Sequence, residues 1–115
     1  MIKRSSPYEG ILHEVVEHNG VLYLAGVVAE DVSADMEGQM RSIVAQIDQL
    51  LAAHGSSKDR ILSATLYITD VAQKPALNKV WKEWLNAAHL PARAGIGVAD
   101  LGPGVLVEVM VTAAK

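Results

Sequence analysis

Two charged residues stand alone in the C-terminal part of this chain, and their types invite chemistry. Arg93, in "LPARAGIGV", is the one Lys or Arg between Lys82 and Lys115. Glu108, in "VLVEVMVT", is the one charge between Val105 and Ala114. A guanidinium is a planar fork that grips a carboxylate bidentately and stays charged at any working pH. A carboxylate set in an apolar strand can hold a water and exchange a proton with it. Together they suit a small anionic substrate attacked by water. From the residues alone, a buried structural ion pair that needs no substrate is the favoured reading of the same two residues.

Other chemistry is poorly supplied. Gly95 and Gly97 follow Arg93, where glycine in a strand marks either a close approach of ligand to backbone or tight packing of sheet on helix. "GIG" is not a dinucleotide fingerprint, because no helix follows it. His13, His18, His54 and His89 lack metal-ligand spacing on a helix, so no metal site is expected. No serine lies in a nucleophile-elbow context. The absence of cysteine excludes disulfides and thiolate catalysis together.

The elements that must position these residues can be read from hydrophobic periodicity. "ILHEVVEHNGVLYLAGVVAED" is a hairpin around Asn-Gly, a pair that tolerates the positive φ of a type I′ turn. Met36, Met40, Ile43, Val44, Ile47, Leu50 and Leu51 recur at helical spacing, with Ser33 or Asp35 as cap and Gly55 at the C-terminus. "RILSATLYITD" is a strand. "QKPALNKVWKEWLNAAH" is a second helix, with Pro75 in its first turn and Leu77, Val80, Trp81, Trp84, Leu85 and Ala88 along one side. "RAGIGVADLGPGVLVEVMVTAAK" gives two strands joined around "DLGPG". The order is ββαβαββ, an α+β fold with both helices on one face of the sheet.

This reading makes the last two strands the arms of a hairpin. Arg93 and Glu108 then share a face if the register sum is odd, and lie about 5 Å apart at Cβ if directly opposed. The last strand is apolar at nearly every position, so both sheet faces should be covered there. Helices cover one. A second subunit is the natural cover for the other, and an oligomer is expected.

With 115 residues, half of them apolar, the chain is expected to form one domain spanning residues 1–115. A net charge of −3 and ten scattered Lys and Arg offer no electrostatic case for nucleic acid. "MIKRSSPYEG" has a basic start without an apolar core, so it does not read as a signal peptide. No apolar run approaches the roughly 20 residues of a membrane span. A cytoplasmic protein is the default expectation.

Longer stretches carry a resemblance. "PAR", a strand ending in "ADL", a short turn and "VLVEVMVTAA" resemble the C-terminal signature of the RidA (YjgF) family of reactive-intermediate deaminases. "HNGVLYLAG", "GQMRSIVAQIDQLLAAHG", "SATLYITD" and "LNKVWKEWL" extend it over nearly the whole chain.

The resemblance implies a chorismate-mutase-like fold, assembled as a homotrimer with sites in the clefts between subunits. It implies that Arg93 binds the carboxylate of a 2-imino or 2-enamino acid, with backbone groups around Gly95, and that Glu108 positions the hydrolytic water. Gly26 and Asn78 fall at the family's glycine and second-helix asparagine. Water then displaces ammonia to leave a 2-oxo acid, with no cofactor. Departures from the family are Val27 for a common glutamine, Gly95 for a common cysteine, and Tyr8 or Leu12 where a cleft aromatic is usual. The alternative is a non-catalytic binder or sensor of small carboxylates such as 2-oxo acids on the same scaffold. RNA cleavage, also attached to parts of the family, is disfavoured by the acidic chain.

Overall fold

The computed structural model describes residues 1–115. Six strands form one mixed sheet in the order β1-β2-β3-β6-β4-β5. In chain order they are β1 (Lys3–Tyr8), β2 (Leu12–His18), β3 (Val21–Leu24), β4 (Ile61–Ile68), β5 (Ala92–Gly97) and β6 (Val107–Ala114). Helix α1 spans Met36–Ala53, and α2 spans Lys74–Trp84. The α+β architecture with two helices is as expected.

The element order is βββαβαββ rather than ββαβαββ, because Lys3–Tyr8 is a strand. "KRSSPY" carries no alternation of apolar and polar residues, so periodicity is silent about it. Its backbone pairs antiparallel with β2, from Lys3↔Glu17 to Tyr8↔Leu12. Pro7 is tolerated there because β1 is an edge strand.

The Asn-Gly turn forms as read: Asn19 and Gly20 have φ of 51° and 76°, between the paired residues His18 and Val21. Asp35 is the cap of α1, accepting from the Gly38 amide at 2.9 Å, while Ser33 bonds Asp31 instead. Met36, Met40, Ile43, Ile47 and Leu51 are buried against the sheet, with Val44 and Leu50 packed beside them. Helix α2 stops at Trp84, where Leu85 turns to extended backbone. Leu85 still reaches the core, but Ala88 lies in a following short 3₁₀ turn and is exposed, contrary to the sequence reading.

The last two strands are not a hairpin. β4 lies between them, antiparallel to β6 and parallel to β5. A parallel neighbour needs a crossover, and α2 is that crossover. The segment from Val98 to Leu106 therefore carries the chain past β4 before β6 begins. Gln39, fully buried on α1, holds this segment in place: its amide donates to the carbonyls of Val32, Ala34 and Gly104, and its oxygen accepts from the Leu106 amide at 3.0 Å.

Candidate functional site

The crossover changes how the expected site residues meet. Arg93 is level with Ala64 on β4, whereas Glu108 is level with Tyr67. The two are two strands and three residues apart, roughly 14 Å between Cα positions from standard strand spacings. They also point to opposite faces. Ala64 and its strand-mates Leu66 and Ile68 are buried under the helices, and Arg93 shares that side. Glu108 alternates with the buried Val107 and Val109, so it faces the open side. The expected cross-strand juxtaposition, and with it the structural ion pair, is absent within one chain.

What the structure assembles instead is two separate groups. On the helix-covered side, the Arg93 guanidinium lies 5.1 Å from the centroid of the Trp81 ring, a cation–π contact. Trp81 is itself fixed by an edge-to-face contact with Trp84, at 5.7 Å and 69°. The indole of Trp84 donates to Asp48 on α1 at 3.0 Å. Lys74, Asn78 and Trp81 recur at helical spacing along one flank of α2. A Cβ placed on Gly95 would stand 3.4 Å from Lys74 Cε, so this lysine overlies the strand two residues beyond Arg93. Asn78 Oδ1 is buried and has no hydrogen-bond partner. No carboxylate comes within 4.0 Å of Arg93 or Lys74.

The two glycines of β5 separate here. Gly97 is packed tightly, 3.1 Å from Val71 Cγ1 by the same measure, and fits the packing reading. A Cβ on Gly95 would meet the flexible end of Lys74 at 3.4 Å and Ile68 Cδ1 at 3.8 Å, ordinary contacts, so its missing side chain relieves no clash.

On the open side, the Glu108 carboxylate lies against Gly26. A Cβ on Gly26 would fall 2.9 Å from Glu108 Cδ and onto the carboxylate itself. Gly26 precedes Val27, which exchanges backbone hydrogen bonds with Val109 at 2.8 and 3.0 Å. That bridge fixes the height of Gly26 beside β6. Gly26 and Val27 also border a groove of about 230 Å³ that reaches round to α1, lined by Tyr8, Leu12, Gly26, Val27, Gln46 and Leu50, among others, but not by Glu108. Tyr8 and Leu12, the two candidates for the missing cleft aromatic, are paired residues of β1 and β2 and both line it.

Arg93, Gly95 and Asn78 thus fall in one group, and Gly26 and Glu108 in the other. Sequence reasoning placed Trp81 in the core without its second role under Arg93, and it missed Lys74. The signal was present: Lys74, Asn78 and Trp81 lie at i, i+4 and i+7.

A family model described as Endoribonuclease L-PSP matches residues 3–115. The chain belongs to that family. A RutC family protein, YoaB, from Escherichia coli K12 is 39% identical over 101 residues, covering 88% of each chain. Among solved structures, a YjgF family member from Neisseria meningitidis superposes with a TM-score of 0.94 at 33% identity, covering 100% of this chain and 95% of that one. A Rid family protein from Yersinia pestis gives 0.88 at 27% identity, covering 97% and 94%. The RidA (YjgF) resemblance therefore holds over the whole sheet and both helices of this L-PSP family member. No helix of it is long and apolar enough to cross a membrane.

Proposed function

We propose that the protein hydrolyses small 2-imino acids and their 2-enamino tautomers to 2-oxo acids and ammonia, in clefts between the subunits of a homotrimer. One observation carries this reading: two complementary, unneutralised half-sites lie on opposite faces of a single chain. A cation and a carboxylate roughly 14 Å apart across a sheet cannot act on one small molecule. A second copy, presenting its Glu108 and Gly26 to the Arg93 edge of the first, brings them together. The apolar residues left open on the sheet supply the surface for such an assembly, since Tyr23 and Met110 are exposed there.

The steps follow from the residues. Arg93, held flat by Trp81, takes the substrate carboxylate bidentately, assisted by backbone groups around Gly95. Asn78, whose buried Oδ1 lacks a donor, lies one turn along α2 from Lys74 on the flank that faces this clamp. Glu108 takes a proton from water as its oxygen bonds to the iminium carbon, and the C=N π pair moves to nitrogen. The carbinolamine then receives that proton on nitrogen. Its hydroxyl proton passes back to Glu108 as the C=O forms, the C–N bond breaks and ammonia leaves. Glu108 ends by losing this proton, which ammonia takes up as ammonium. Water and iminium are thereby converted to 2-oxo acid and ammonium with no electrons exchanged.

RNA cleavage, named in the family description, finds less support. The chain carries a net charge of −3, and three of its ten Lys and Arg are already bridged: Arg41 to Glu37 and Glu83, Lys79 to Glu37 and Lys115 to Glu17.

The test is a coupled assay in which an amino-acid oxidase generates imines and semicarbazide traps what remains. Wild type is expected to lower semicarbazone yield, and Arg93→Ala, folded and assembled, to lose at least about a hundredfold in kcat/KM. Saturable binding of a 2-oxo acid without turnover by wild type would replace this reading with that of a carboxylate binder.

A further inference from the structure

Lys74 has no role in the chemistry above, and its placement is specific. It opens α2, and its aliphatic end lies over Gly95, with Nζ 3.6 Å from where a Cβ would be. Two residues along β5 stands Arg93, on the same side of the sheet; that spacing is about 6.6 Å. Nothing on β5 fills the interval, because residue 95 is glycine. Asn78, one helical turn from Lys74 and nearly one from Trp81, lies on the same flank with its Oδ1 buried and unpartnered.

Arg41, Lys79 and Lys115 each hold a carboxylate at 2.9–3.3 Å. Seven of the ten Lys and Arg hold none, and of these Lys74 and Arg93 are brought to one side of β5, two residues apart along the strand. Two adjacent like charges left unneutralised on one strand edge are unfavourable in the free protein. A ligand that brings two negative charges at matching separation removes that repulsion.

Resting on the imine-hydrolase reading, we propose that the substrates are imino dicarboxylic acids: Arg93 takes the carboxylate next to the imine carbon, and Lys74 Nζ takes the distal one. Gly95 provides the floor over which the short carbon chain lies. Lys74 is a specificity residue. A monocarboxylic substrate leaves its ammonium unpaired, and an apolar side chain would have to lie against it. This gives a diacid the advantage of one charge-assisted contact, at least about tenfold in kcat/KM.

The experiment compares iminosuccinate, made by an oxidase from aspartate, with iminopropanoate, made from alanine. It reads the ratio of their kcat/KM values for wild type, Lys74→Met and Lys74→Arg. The expected ratio is at least about ten for wild type, near one for Lys74→Met and largely restored in Lys74→Arg. A loss of folding or assembly would lower both rates and leave the ratio intact.

A wild-type ratio near one, or a ratio unmoved by Lys74→Met, overturns the diacid assignment while imine hydrolysis stands. If wild type hydrolyses no imine, the hydrolase reading fails, and titration with 2-oxoglutarate and 2-oxobutanoate decides the clamp by itself. Lys74-dependent preference for 2-oxoglutarate upholds it; equal affinities, or no binding, overturn it.

Discussion

Along β6, Val107, Val109, Val111 and Ala113 are fully buried beneath α1 and α2, while Glu108, Met110 and Thr112 between them face outward. Both sets are largely small or apolar, and in one strand they share the same backbone. The helix side is closed within the chain: Met40, Ile43, Ile47 and Leu66 are wholly inaccessible. The open side leaves Met110 42% and Tyr23 46% exposed, with Ile96 similar at 43%. One face has been completed by intramolecular packing, and the other carries apolar surface with a carboxylate set into it. Stability is thus assigned to one side of the sheet and the proposed chemistry to the other, with Arg93 as the proposed site residue that lies on the helix side.

That division can be broken at its functional end first. Replacing Glu108 by Gln keeps the shape against Gly26 but removes the proton acceptor, and imine hydrolysis should fall 10²- to 10⁴-fold. The unfolding midpoint should barely move. A fall in activity matched by a comparable loss of stability would show that the open face is structural after all.

The next largest effect lies on the helix side. Met40→Ala should cost about 2–5 kcal/mol in denaturant unfolding, because the surrounding packing cannot collapse into the space. Met110→Lys, its counterpart on the open side, should leave the fold of the isolated chain intact yet shift the sedimentation coefficient from that of the proposed trimer to that of a monomer. If Met110→Lys sediments as wild type does, this face is not the assembly surface.

The smallest effect is electrostatic. Hydrogen bonding from Lys79 and Arg41 holds the Glu37 carboxyl below its ordinary value of 4.5. A group depressed in the folded state contributes stability above its unfolded pKa and loses it as pH falls through the folded one. Wild type should therefore lose slightly more thermal stability than Glu37→Gln as pH drops below about 4.5. The pair is exposed and screened, so raising salt should shrink the difference.

How much of this was legible in the sequence varied with the physical signal. Helix α1 announces itself by a long apolar stripe, an Asp cap and a terminal glycine, each a local preference agreeing with the others. Asn19-Gly20 encodes its own turn. β1 could not be read, because its only reason to be extended is a neighbouring strand elsewhere in the chain. The pairing of the last two strands was misread for a related reason. Glycine and proline in "DLGPG" mark a turn but not its partner strands, and a nine-residue connection serves a crossover as well as a long hairpin loop. Arg93, Gly95 and Asn78 were legible as a group through the family signature. Their separation from Glu108 was not, since it depends on β4 taking the place between them. Gln39 gave no hint of burial: a glutamine in a polar-looking first turn is ordinarily solvated, and its four partners come from two segments, Val32 and Ala34 before α1 and Gly104 and Leu106 before β6.

The crossover has a consequence for the order in which the molecule is made. β4, α2 and β5 form one continuous stretch, and Lys74, Asn78, Trp81, Arg93 and Gly95 all lie within it. The pairing of β3 with β6, by contrast, joins Val21 to Ala114 and closes nearly the whole chain. Loop closure over that span is the costlier and slower event. A chain growing from its N-terminus therefore holds every residue of its cationic half-site before Glu108 has been synthesised. The acid half must wait for the final strand to slot between two strands already present. Translation thus sets a fixed order of synthesis, in which the residues of the proposed carboxylate grip precede the proposed catalytic glutamate.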